Sequence, residues 1–209
     1  MDIQNFWVFA LAALMLNLTP GNDMIYVASR SAGQGVRAGI VSALGIMGGC
    51  FVHMLAAVAG LSAIIAQSAL AFDIIKYIGA AYLVYLGIRM LTDKKKKFTI
   101  PGISEISPYK KIFWQGVVTN VLNPKVALFF LALLPQFIDI DSGRTSLHIL
   151  FLGIWFNISG TTVNILVAIL FGKISSWLSN SPGFIQWQGR ISGMLLIGLG
   201  IRVALTKPL

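Results

Sequence analysis

The sequence predicts an all-α polytopic membrane protein, six transmembrane helices arranged as a 3+3 inverted repeat. Three observations carry this expectation. Of 209 residues, 56% are hydrophobic and only 11% charged, with a mean hydropathy of +0.81. The apolar residues gather into runs of about 20, the length that crosses the hydrocarbon core of a bilayer. The second half of the chain also repeats, in order, short patterns found in the first. So little charge argues against a soluble enzyme, whose surface needs more of it. The net charge of +9 is not in itself a nucleic-acid signal, because basic residues also set orientation in a membrane.

The apolar runs fall at about 6–28, 38–65, 69–91, 112–134, 147–171 and 185–205. Between the third and fourth lies TDKKKKFTIPGISEISPYKK, residues 92–111, a polar loop with six lysines and two prolines. The expected organisation is one transmembrane domain over 1–209: a first repeat to about 91, this loop, and a second repeat from about 112. The opening MDIQNFW lacks the basic segment of a signal peptide, so the first run is expected to remain as a helix.

Orientation follows from Lys and Arg. One side of the six-span arrangement collects Arg30, Arg37, Arg89, Lys94 to Lys97, Lys110, Lys111, Lys173 and Arg190; the other has Lys76, Arg144, Arg202 and Lys207. The positive-inside rule then makes the middle loop cytoplasmic and puts both termini outside.

Three matches define the repeat. Thr19-Pro20 in the first run pairs with Asn123-Pro124 in the fourth, Leu44-Gly45-Ile46 with Leu152-Gly153-Ile154, and Leu86-Gly87-Ile88-Arg89 with Leu199-Gly200-Ile201-Arg202. With three spans per copy, the second copy enters the bilayer from the opposite face. Transporters built this way place their sites near the midplane, where interrupted helices meet.

The interruptions supply the candidate chemistry. Pro20 frees the carbonyl of Leu16 and Pro124 that of Asn120, because proline has no N–H and clashes with the carbonyl four residues back. In lipid such carbonyls need partners, so they are expected to line a protected cavity. Asn17 and Thr19 flank the first break, and Asn120 and Asn123 the second. Thr19 or Asn123 can serve as N-cap of a new half-helix with proline at its first position, whose N–H groups favour a carboxylate. Gly21 lets a ligand approach the backbone.

Asp23 is the acidic residue that falls within a span, and Lys125 the base that sits deep; Asp73, among the others, falls at a run's end. A charge at mid-bilayer costs about 2.5–3.5 kcal/mol, so both are expected to face the interior. Asp23 contacting a substrate ammonium or a coupling proton, with Lys125 attracting a carboxylate, is the functional reading. A salt bridge between the two is the structural one. His53 is either an interior histidine bonded to a backbone carbonyl or a proton relay. His148 reads as interfacial, the five tryptophans mostly as an interfacial belt, and Gly45/Gly49 as close packing within the subunit. Cys50 stands alone in the chain, which excludes an internal disulfide.

The runs LTPGNDMIYVASRSAGQGVRAG, YIGAAYLVYLGIR and VTNVLNPKVALFFLALLPQF together resemble the lysine exporter superfamily, in particular its homoserine and threonine resistance (RhtB-type) branch. The resemblance covers nearly the whole chain. It implies export of amino acids or close derivatives from the bacterial cytoplasm by proton antiport, across the inner membrane, often as a homodimer. No cofactor, no metal and no nucleic-acid partner is expected. Its pattern carries over at Pro20, Gly21, Asp23, Asn120, Asn123, Pro124 and Lys125, with His53 a lesser match. Asn22 departs from it, standing where members commonly have a second proline. A divalent-metal exporter on the same scaffold is the alternative. One deep carboxylate beside a deep lysine argues against it, since hard cations want several oxygen ligands.

Overall fold

The computed structural model describes residues 6–61, 69–92, 106–138, 143–179 and 182–205, and every regular element among them is helical. The charged run at 94–97 and most of the 92–111 loop lie outside the described residues.

The first apolar run is two helices rather than one. α1 (Phe6–Leu18) and α2 (Asn22–Gln34) are bent by 49° where Pro20 interrupts the ladder. α3 (Val36–Ala56) follows a turn at Gly35, whose φ of 88° is left-handed backbone that suits glycine, and it ends in a π-helical turn over Ala57–Leu61. α4 (Ala69–Thr92) closes the first half. In the second half α5 (Tyr109–Val121) and α6 (Pro124–Leu128) are bent by 48°, the latter bend counted through to Phe137. Beyond α6 the chain continues as a π turn (Phe129–Leu133) and a 3-10 turn (Leu134–Phe137) that contains Pro135. α7 (Thr145–Ser179) and α8 (Pro182–Leu205) complete the bundle.

Among the described residues two helical stretches are long and apolar enough to cross a membrane, Val36–Gly60 and Thr145–Lys173. The bent pairs α1/α2 and α5/α6 qualify as well when each is taken as one crossing.

Close helix contacts sit where glycine removes a side chain. A Cβ on Gly45 would fall on the backbone carbonyl of Phe113, so α3 and α5 touch backbone to backbone. Gly49 meets Val117 and Asn120 one turn on, so this glycine pair packs within the subunit. Between α4 and α8 the contact is reciprocal: Gly87 faces Gly193 and Ile197, while Gly200 faces Ala80 and Val84. One offset along the sequence carries Gly87 onto Gly200, Ala80 onto Gly193 and Val84 onto Ile197.

Two apolar clusters fill the bundle. The larger packs Phe9 of α1 with Phe129, Phe130 and Phe137 beyond α6 and with Phe156 of α7. The smaller joins α2, α3 and α7 through Met24, Val27, Ile46, Val163 and Phe171.

One expectation about buried polarity needs correction. Lys76, counted above with an outer face, is only 1% exposed and pairs at 2.9 Å with Asp73, which is 22% exposed. The i,i+3 spacing on one helix lets the half-buried carboxylate reach the buried ammonium. His148, near the start of α7, is only 2% exposed, because the first turn of that helix packs inward beside Ile149 and Leu152. Trp7 and Trp114 are exposed as a belt requires, while Trp155 lies edge-on to Phe6 at 5.3 Å.

Candidate functional site

Both carbonyls freed by proline find a partner from the other half of the chain. The carbonyl of Leu16 accepts from the Thr19 N–H at 3.2 Å and from Lys125 Nζ at 3.1 Å. The carbonyl of Asn120 accepts from the Asn123 N–H at 2.9 Å, and His53 Nε2 lies 2.9 Å from it. Each break is therefore closed by one local amide and one cationic or imidazole side chain from afar. His53 takes the carbonyl-bonded geometry and stacks beside Phe130.

The two breaks differ in how their second helix starts. Asn123 caps α6: its Oδ1 accepts from the Lys125 N–H at 3.1 Å, with Pro124 at the first helical position. Thr19 does not cap α2. Its hydroxyl turns back to the carbonyl of Met15 at 2.8 Å, and α2 starts only after Gly21, in extended backbone with no side-chain cap. The first break is longer by these residues, and its extra free carbonyl, that of Thr19, accepts from Lys125 Nζ at 2.9 Å. Gly21 gives the ammonium its room, since a Cβ there would sit 3.3 Å from Nζ.

Asp23, 8% exposed, follows in the first turn of α2. Its Oδ2 accepts from Asn120 Nδ2 at 2.8 Å, which links the two breaks side chain to side chain. Among the described residues no ion pair joins Asp23 to Lys125; the ammonium is given to carbonyls instead. The buried oxygens Asp23 Oδ1 and Asn120 Oδ1, and the buried Asn123 Nδ2, have no hydrogen-bond partner. Unused donors and acceptors at this depth are costly unless a ligand or water takes them.

A small cavity of about 30 Å³ opens beside these groups, between the two apolar clusters. Its walls bring together Asn17, Asp23, Asn120 and Lys125 with Met24, Ile46, Cys50, Val126 and Phe156. That space has room for a water-sized group and is small beside the several hundred Å³ of sites that enclose whole small molecules. Asn17 is also a brace: its Nδ2 donates to the carbonyl of Phe156 at 3.2 Å and to Ser159 Oγ at 3.0 Å, tying α1 to α7. Asn22 is exposed at the start of α2 and is not among the lining residues. His53 likewise stands one shell back, acting through Asn120.

The sequence reading missed the contribution of α7. Asn157, Gly160, Thr161 and Asn164 form a wall of the cavity. Polar residues spaced four and three apart in an apolar helix were the available signal. Among the described residues no group of three or more His, Cys, Asp or Glu side chains comes together as a metal site would.

Membrane-length helices and two bent ones, gathered around a buried polar cavity where the bends face each other, define a membrane transporter by class. Comparison with known proteins agrees: the family model described as LysE type translocator matches residues 14–207, and the chain belongs to that family. It is similar to the leucine efflux protein of Salmonella typhimurium, 29% identical over 97% of this chain and 95% of the relative. It is also similar to the uncharacterized membrane protein YrhP of Bacillus subtilis, 31% identical over 93% of this chain and 95% of the relative. An uncharacterized membrane protein of Vibrio cholerae is 32% identical over 99% of this chain and all of the relative. No solved structure matches the chain.

Proposed function

We propose that this protein is a secondary transporter that exports neutral amino acids from the bacterial cytoplasm, coupled to proton entry by antiport. One observation carries the reading: Asp23 and Lys125, from the two different broken helices, line one cavity without neutralising each other. An acceptor for an ammonium and a donor for a carboxylate are thereby available to a zwitterion. The apolar residues Met24, Ile46, Val126 and Phe156 on the same walls suit an uncharged side chain, and the leucine efflux protein among the relatives makes leucine the first cargo to test.

In this reading Asn17, Thr19, Pro20, Gly21, Asn22, Asp23, His53, Asn120, Asn123, Pro124 and Lys125 form or support the site. The chain is one domain of two inverted repeats with six spans, set in the inner membrane as a multi-pass protein with both termini outside, and able to pair as a homodimer. The equal bends of the two broken helices and the reciprocal glycine contacts between α4 and α8 support the duplication.

Proteoliposomes loaded with labelled leucine and other neutral amino acids test it. Efflux is expected to follow an imposed pH gradient. Asp23→Asn should lower it by about 100-fold, the scale of a lost hydrogen bond to a charged group, while the protein stays folded. Folded wild-type protein that moves none of the panel under any gradient would sink the reading.

A further inference from the structure

α7 is apolar for most of its 35 residues, yet it carries Asn157, Thr161 and Asn164 on one face. Two of the three have work within the protein. Asn157 Nδ2 donates to the carbonyl of Met47 at 3.2 Å, which ties α7 to α3. Thr161 Oγ1 lies 3.5 Å from Asn157 Oδ1. Asn164 stands apart: it is 8% exposed, it lines the cavity, and among the described residues no group bonds its side-chain amide.

An amide brings two donors and an acceptor. Leaving them unused in a protein interior is unfavourable, and in a bundle surrounded by lipid only the cavity can supply a partner. The α2 and α5 walls of that cavity present acceptors without donors, Asp23 Oδ1 and Asn120 Oδ1. They suit an ammonium. Two of the three N–H groups of Lys125 Nζ are held by the carbonyls of Leu16 and Thr19, which leaves one for the two oxygens of a bound carboxylate, so a second donor is needed. Asn164 Nδ2 is such a donor.

We infer that Asn164 is a cargo-binding residue, its amide N–H groups donating to the carboxylate of an α-amino acid whose ammonium rests on Asp23 and Asn120. The inference rests on the transporter reading and adds a recognition element on α7. It also gives the cavity a polarity, with the ammonium on Asp23 and Asn120 and the carboxylate between Lys125 and α7.

Asn164→Leu, which keeps the number and branching of the side-chain heavy atoms, tests it in the full chain with leucine as the probe. Proteoliposome efflux should show KM for leucine raised by about tenfold or more, with the maximal rate within about twofold, the signature of lost ground-state binding. The ligand-free Tm should hold or rise, because an unpaired amide has been removed, and the Tm shift on adding leucine should vanish. Asn164→Ser keeps a hydroxyl donor and should recover part of the KM. A structural Asn164 gives the opposite pair, a lower ligand-free Tm with unchanged KM, and overturns the inference. If Asn164→Leu fails to fold, Asn164→Ser is read by the same two measurements, and an unchanged KM there overturns it too. Wild-type protein that moves no neutral amino acid defeats the transporter reading and this inference together, whereas transport with an unaltered KM in the variant defeats this inference alone.

Discussion

The two broken helices bend by 49° and 48°, yet different forces hold them. After the first break, α2 presents Tyr26, Arg30 and Gln34, four residues apart, to the start of α5. The Tyr26 hydroxyl donates to the carbonyl of Ile112 at 2.8 Å, Arg30 to Gln115 Oε1 at 2.7 Å, and Gln34 exchanges two bonds with the backbone of Ser107 at 2.7 and 3.1 Å. After the second break, the chain beyond α6 is sunk in aromatic packing. Phe129 stacks on Phe156 with centroids 3.9 Å apart, and Phe9 meets Phe137 edge-on at 5.3 Å. The register that matches Pro20 to Pro124 sets Tyr26 against Phe130, Arg30 against Leu134 and Gln34 against Ile138.

Polar contacts can be traded for water at a net cost of about 1 kcal/mol each, whereas a packed aromatic cluster cannot open without forfeiting its close contacts. The contact of α2 with α5 is therefore the more readily exchanged of the two, although α2 stays packed on α3 and α7 through Met24, Val27 and Ala28. The two breaks share a bend and differ in what packs around it.

The largest effect should come from the aromatic side. Phe129→Ala is expected to destabilise the protein by about 3 kcal/mol, near the low end for such truncations because lipid is as apolar as the core and the loss is mainly packing. Thermal unfolding in detergent measures it, and a loss below that of the polar contacts would erase the distinction. Lys125→Met comes next. It strips the ammonium from the carbonyls of Leu16 and Thr19, and a loss of about 2 kcal/mol in the same assay is expected for the group left unsatisfied. The smallest effects belong to the polar latch. Tyr26→Phe and Gln34→Ala should each cost about 1 kcal/mol, and hydrogen exchange should rise in α2 rather than beyond α6. Greater exchange beyond α6 would reverse the order of the two contacts.

Much of the site is legible in the chain because its causes are local. Proline at 20 and 124 dictates which carbonyls are freed, Asn123 has the chemistry of a cap, and an aspartate in an apolar run has to face inward. Thr19 shows the limit of that logic: with the same proline following it, its hydroxyl bonds back into α1, because extended backbone at Gly21 delays the next helix. The Asp23–Lys125 salt bridge fails for a related reason. Complementary charge suggests it, but the ammonium lies where two carbonyls converge, and those carbonyls belong to the other half.

A helical membrane protein, broken twice at prolines and with its rare deep charges beside the breaks, can be read from the chain alone. Those properties depend on composition and on interactions within a turn of helix. It takes the folded bundle to show that Lys125 and His53 each serve the opposite break, that Lys76 is buried and paired with Asp73, and that α7 brings Asn164 to the cavity unpartnered. Those outcomes are choices among partners distant along the chain, which packing alone selects.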